Sequence, residues 1–250
     1  MLLSIDSVSK IFVTDVGREV RAIEGMTLDC DKGEFLCLLG PTGCGKTTLL
    51  RLIAGLEEPT GGSIIYEDVS PESVDISLVF QQNTLFPWDN ILKNVMFGLE
   101  MRGLSHNRCR EEALKCLHLV GLEGVEDCLP YELSGGMQRR AEIARAIAFC
   151  PRILLMDEPF GSLDERTRYK LEEVLLELWQ KKGMTIIFVT HDIEEAIFLA
   201  GRIIVMGGKS GQVAEEMKVD MPHMRNRISE PFVKYMLKVR KIFETIVQEE

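Results

Sequence analysis

Residues 40–47 read Gly40-Pro41-Thr42-Gly43-Cys44-Gly45-Lys46-Thr47, the spacing G-x-x-x-x-G-K-[ST]. The loop follows a nearly continuous apolar run, EFLCLLG, and precedes the helical pattern LLRLIAGL. A run without alternation suits a strand buried on both faces of a parallel sheet. Glycines let the backbone curl so that its N–H groups face a triphosphate. The helix start behind them adds partial positive charge. Lys46 can neutralise β- and γ-phosphate oxygens, and the Thr47 hydroxyl can reach Mg²⁺. The plain alternative is a glycine-rich structural turn; the strand–loop–helix context weighs against it.

Two further apolar runs, RILLMDE (152–158) and TIIFVTHD (185–192), read as partner strands. Between them, Leu171, Val174, Leu175, Leu178 and Trp179 fall on one helical face, with Asp164 placed to cap the start and Gly183 to end it. Alternating strands and helices predict an α/β fold with a mainly parallel sheet. The first thirty residues read as short strands around a turn at Asp15–Arg18. Residues 83–150 carry helical patterns and no convincing buried strand. The expected organisation is an α/β core with its β subdomain over 1–82 and 151–220, an inserted helical subdomain over 83–150, and a tail over 221–250. That tail holds a polar loop, then a short amphipathic helix that packs, binds a regulator or lies on lipid.

Composition excludes several classes. Apolar residues make up 46% and charged residues 27%, too much core-forming material for a disordered chain. The net charge is −10, although residues 201–250 alone hold nine Lys/Arg against seven Asp/Glu. A chain that neutralised nucleic-acid phosphates would lean the other way, so no nucleic-acid partner is expected. The seven cysteines include no C-x-x-C pair, which argues for reduced thiols and against a disulfide scaffold or zinc site. No apolar run reaches the ~18–20 residues of a spanning helix, and the first ten residues lack the pattern of a secretory signal. A soluble, cytoplasmic chain is expected.

Asp157 ends the apolar strand ILLM and Glu158 follows it. That sheet edge is where α/β folds bind ligands. Asp157 can hold Mg²⁺ through water, and Glu158 can face an attacking water. A surface acidic pair is the alternative, weakened by the upstream loop. His191 leaves the same edge and could reach a γ-phosphate. His106, His118 and His223 carry no partner pattern and are read as structural.

With these motifs in place, Leu133-Ser134-Gly135-Gly136-Met137-Gln138 resembles the signature motif of ABC-transporter ATPases. The other pieces follow in order. Phe12 sits where an aromatic stacks on adenine. Gln81 in VFQQ resembles the Q-loop glutamine. Gly161-Ser162-Leu163-Asp164 resembles the D-loop, and Thr190-His191-Asp192 the switch segment. VFQQNTLFPWDNILKNVMFGLE and GGKSGQVAEEMKVDMPHMRNR are similar to the nitrate, sulfonate and taurine importer group. Cys44 and Met137 fill positions that vary in such proteins. Gly201 stands where an acid is often found.

The resemblance implies a P-loop NTPase core with an N-terminal antiparallel β subdomain. It implies ATP and Mg²⁺ as cofactors. Gly40 through Thr48 would cradle the nucleotide (Gly40, Pro41, Thr42, Gly43, Cys44, Gly45, Lys46, Thr47 and Thr48), with Thr47, Gln81 and Asp157 at the metal. Lys46, Glu158, His191 and Gln81 would serve hydrolysis. Ser134, Gly135, Gly136 and Asp164 would meet ATP bound to a second copy of the chain. The implied partners are that second copy, a membrane permease and, indirectly, an extracytoplasmic solute-binding protein. The implied location is peripheral, on the cytoplasmic face of the membrane. Rival classes are a soluble ABC ATPase outside transport, an exporter ATPase and a P-loop small-molecule kinase. Two finer expectations concern single residues. Cys44 is either a nucleotide-protected thiolate or an inert filler. Phe86, Pro87 and Trp88 either enter the local core or form a groove for a permease helix.

Overall fold

The computed structural model describes residues 1–68, 75–208 and 210–248. Lys209, inside the importer-like segment noted above, lies outside the described residues. A six-stranded sheet organises the chain. Its strands are β3 (Phe35–Leu39), β5 (Ile76–Val79), β6 (Ile153–Asp157), β7 (Thr185–Thr190), β8 (Arg202–Gly207) and β9 (Gln212–Lys218). They lie in the order β5-β6-β7-β3-β8-β9, all parallel except β9, which runs antiparallel to β8. Every residue of β3, β6 and β7 is buried, as the three apolar runs require. Each fully buried Leu, Ile or Val there contributes about 1.5–3 kcal/mol.

These three strands are neighbours, so their C-terminal ends deliver the glycine-rich loop, Asp157 and His191 to one edge. Two cores flank the sheet. One packs against α1 (Lys46–Ile53) and a second, antiparallel sheet; the other lies under the remaining helices. The second sheet is β1 (Leu3–Val13) between β2 (Glu19–Cys30) and β4 (Gly61–Tyr66). Its first two strands have 11 and 12 residues and fall on the segments LLSIDSVSKIF and VRAIEGMTLDC read as strands from the sequence. Register shifts between Ile5 and Ile11, with Ser7 at φ 51°, break the alternation along β1.

Helices α2 (Ile91–Met101), α3 (His106–Leu119) and α4 (Gly135–Ala148) pack together in the middle of the chain. Asn90 caps α2 by accepting from the Lys93 N–H, and Ser134 caps α4 by accepting from Met137. α5 (Glu165–Lys182) starts at the Asp164 cap and ends at Gly183, φ 64°, as its sequence predicts. α6 (Ile193–Leu199) follows the Asp192 cap. The tail helix α7 runs Glu230–Gln248, longer than the sequence implied. Phe232, Val239 and Ile246 form its buried face, two turns apart. Ile246 sits so close to Gly207 that a Cβ there would approach its Cγ2 to 2.5 Å. The tail therefore packs on the core. Among the described residues, no helix is long and apolar enough to cross a membrane.

Candidate functional site

The loop between β3 and α1 needs its glycines for space as well as conformation. Gly45 has φ 103°, and a Cβ there would sit 2.5 Å from the Ala22 carbonyl oxygen. A Cβ on Gly40 would meet the Met206 carbonyl at 2.5 Å and Cys44 Sγ at 2.8 Å. The Cys44 side chain thus turns inward and is 2% exposed. Of the two readings of Cys44, this favours the inert filler over the accessible thiolate: the sulfur fills the space beneath the loop.

Lys46 Nζ donates to the carbonyls of Gly40 and Pro41, both at 2.7 Å. Thr47 Oγ1 donates to Asp157 Oδ1 at 3.2 Å, which joins the loop to the end of β6. Asp157 is 4% exposed. Burial pushes its carboxyl pKa up, and the Thr47 bond opposes that shift. A hard cation beside these two oxygens would restore the ionised form.

Glu158 lies one residue further, with its backbone in the left-handed region at φ 44°. Its Oε1 is 3.2 Å from His191 Nδ1, and its Oε2 accepts from Gln81 Nε2 at 3.4 Å. The residues named from three separate sequence segments therefore meet at one carboxylate. Thr42, Lys46, Thr47, Thr48, Gln81 and Glu158 line one cavity of about 210 Å³, together with Val20, Arg21 and Ala22 of β2. Those three β2 residues were missed in the sequence, where nothing marks them except an alternating strand.

Ser134, Gly135 and Gly136 do not line this cavity. Ser134 and Gly135 are exposed, and a Cβ on Gly135 would meet nothing within 4 Å. Phe12 is half-buried outside the cavity, with Lys10 Nζ 5.0 Å from its ring centre. Asp164 is exposed and caps α5, and its bond to Thr167 lowers its carboxyl pKa. One chain thus brings together the loop, Gln81, Asp157, Glu158 and His191, and leaves the helix start at Ser134 facing outward. Two arginines, one buried and one half-buried, also escaped sequence reading. Arg139 on α4 reaches the carbonyls of Asp157 and Glu158 at 3.0 and 3.1 Å. Arg168 on α5 lies 3.3 Å from Asp192, the residue after His191.

Comparison with known proteins defines the class. A family model described as "ABC transporter" matches residues 23–161. An ABC transporter ATP-binding protein of Methanocaldococcus jannaschii is 46% identical over 244 residues, 97% of this chain and 91% of its own length. An aliphatic sulfonates import ATP-binding protein of Bacillus cereus is 41% identical over 246 residues, 98% of this chain and 96% of its own. A solved dimeric ATP-binding cassette, in a post-hydrolysis state with ADP and Pi, superposes with a TM-score of 0.81 at 33% identity. It covers 88% of this chain and all of its own. The fold is that of the P-loop ATPase cassettes. The chain belongs to the ABC transporter family and is one of its ATP-binding, ATP-hydrolysing subunits.

Proposed function

We propose that this chain powers an importer of a small anionic solute such as an aliphatic sulfonate, nitrate or taurine. In this reading two copies close around two ATP molecules and move a membrane permease. The observation that carries the hydrolytic part is the single carboxylate, Glu158, held between Gln81 and His191 beside the Lys46 loop. Hydrolysis of a phosphoanhydride needs positioning and charge neutralisation more than covalent chemistry. Lys46 exchanges the carbonyls of Gly40 and Pro41 for phosphate oxygens. Thr47 and Asp157, with Gln81, would hold Mg²⁺, which when bound neutralises phosphate charge. The few oxygen ligands supplied here suit an ion that keeps waters and takes substrate oxygens. Glu158 orients and deprotonates the attacking water, while His191 and Gln81 contact the γ-phosphate end. The exposed start of α4, with its Ser134 hydroxyl and free N–H groups, suits the γ-phosphate bound to the second copy.

The solute class is supported by the 41% relative and by the importer-like segments. The permease is supported by an aromatic surface. Trp88 is 73% exposed and stacks on Phe86 with ring centres 5.6 Å apart. Phe86 and Phe97 then border a groove of about 250 Å³ with Thr84, Arg145 and Phe149. We divide the chain as an ATP-binding core (1–82 and 151–220), a helical subdomain (83–150) and a helical tail (221–250). Its place is the cytoplasmic face of the membrane, with a solute-binding protein acting through the permease.

Glu158→Gln tests the hydrolytic reading. The amide keeps the shape and removes the charge that activates water. ATP binding should persist while turnover falls about 10²–10⁴-fold. Near-wild-type steady-state hydrolysis by the purified variant would remove Glu158 from this role. Transport of alkyl sulfonates and nitrate by the complex reconstituted with its permease tests the solute class.

A further inference from the structure

Arg139 sits five residues after Ser134 on α4 and is 5% exposed. A guanidinium has five N–H donors in a fixed fork, and here each has an acceptor. Nε donates to the Pro159 carbonyl at 2.7 Å. Nη2 donates to the Asp157 carbonyl at 3.0 Å and the Glu158 carbonyl at 3.1 Å. Nη1 donates to the Phe80 carbonyl and to Glu142 Oε2, the latter at 3.0 Å. Glu142, 3% exposed, neutralises the buried charge. Its other oxygen accepts from the Thr84 N–H and, at 3.0 Å, from the Thr84 hydroxyl.

The placement matters more than the number of bonds. Phe80 directly precedes Gln81, and Thr84 closely follows it. Glu158 holds a left-handed backbone that a side-chain-bearing residue keeps only when its surroundings enforce it. Two ties do so. Its N–H donates to the Val189 carbonyl at 3.0 Å, and its carbonyl is held by Arg139. One side chain therefore grips both the carbonyl of Glu158 and the peptide carbonyl that leads into Gln81. It does so from the helix whose exposed start would face the second copy.

We propose that Arg139 is a positioning residue that sets the Glu158 carboxylate against Gln81, and that it does so through its fork of carbonyl bonds rather than through its charge. The inference rests on the reading of Glu158 as the water-activating group. Lysine keeps the charge but is a compact point donor that cannot span five acceptors.

Arg139→Lys should keep the KM for Mg-ATP within about threefold and lower kcat about 10²-fold, the usual cost of an ångström-scale misplacement. In a Glu158→Gln background it should lower the residual rate no further, because the group it positions is already gone. A kcat near wild type would overturn the proposal. So would a KM that rises in step with the loss, or a loss that multiplies with Glu158→Gln, since either marks general structural damage. If Arg139→Lys does not fold, the double variant R139Q/E142Q replaces the buried ion pair by an amide pair without stranding a charge. It should show the same fall in kcat with ATP affinity retained, and wild-type turnover in it would equally overturn the proposal. If Glu158→Gln itself stays active, the underlying reading has failed, and the two failures are told apart.

Discussion

Cys44 shows where residue-scale chemistry depends on tertiary placement. Its position before a helix start, next to Lys46, favours thiolate on local grounds. Its sulfur instead packs beneath Gly40, with Lys46 Nζ at 3.9 Å. A thiol 2% exposed is closed to reagents before any nucleotide binds. Alkylation mapped by mass spectrometry should therefore give equal, low labelling of Cys44 with and without Mg-ATP. Strong labelling that ATP suppresses would contradict this packing. The loop itself was legible in the sequence because its chemistry is local: glycines, a lysine and a threonine act through backbone shape and short reach. The direction of one side chain within it was not, because Met206 on a distant strand decides that space. Arg139 was illegible for a similar reason. In GGMQRRAEIARAIA two adjacent arginines look alike, and only the meeting of α4 with the ends of β5 and β6 separates the buried one from its half-buried neighbour.

At the scale of elements, strands buried on both faces declared themselves as unbroken apolar runs, and β3, β6 and β7 fall where expected. β4 is half-open to solvent, β9 is exposed at all but Met217 and β5 has only four residues, so no apolar run marked them, while the buried β8 went unread. The Asp164 cap and Gly183 bracket α5 as read from sequence because caps are local signals. The segment after Gln81 belongs to this scale as well. Phe86 packs edge-on against Phe97 at 4.9 Å and under the Arg145 guanidinium at 5.5 Å, while Trp88 lies outermost. Its exposure settles against burial in the local core. Trp88→Ala should lower the stability of the isolated chain by about 1 kcal/mol or less, the worth of one surface aromatic pair. It should weaken co-purification with the permease by about 2 kcal/mol or more if the ring anchors that contact. Thermal unfolding and pull-down together check this. Unfolding of the isolated chain would point to a core role, and unchanged assembly would place the permease contact elsewhere.

Across the whole molecule, the tail and the segment 190–192 are joined through partly and fully buried charges. Arg227 of the tail stacks 3.5 Å from the Phe198 ring centre and pairs with Glu172 of α5. Glu195 accepts from Thr190, the residue before His191, at 2.7 Å, and Arg168 bridges Asp192 and Glu195. Burial pushes Glu172 up to about 8 against the opposing pull of Arg227, and Glu195 up to about 7. A carboxyl whose folded pKa exceeds its unfolded value binds more protons in the native state. Its contribution is fully present below about pH 4.5 and is lost as pH rises toward 8. Stability should therefore decline from pH 5 to 8.5 in urea titrations, and Glu172→Gln should flatten that decline. A variant with the same slope as wild type would show that Glu172 does not titrate in this window.

The central claim is that the chain completes its ATP site only with a second copy, whose exposed Ser134 start meets the γ-phosphate held by Lys46. Sedimentation of Glu158→Gln with and without Mg-ATP tests it most directly, since that variant is expected to bind nucleotide and consume it only slowly. The expected result is a nucleotide-dependent doubling of mass, abolished when Ser134→Arg is added to fill the helix start. A chain that stays monomeric at saturating Mg-ATP, or a dimer indifferent to Ser134→Arg, would contradict the sandwich.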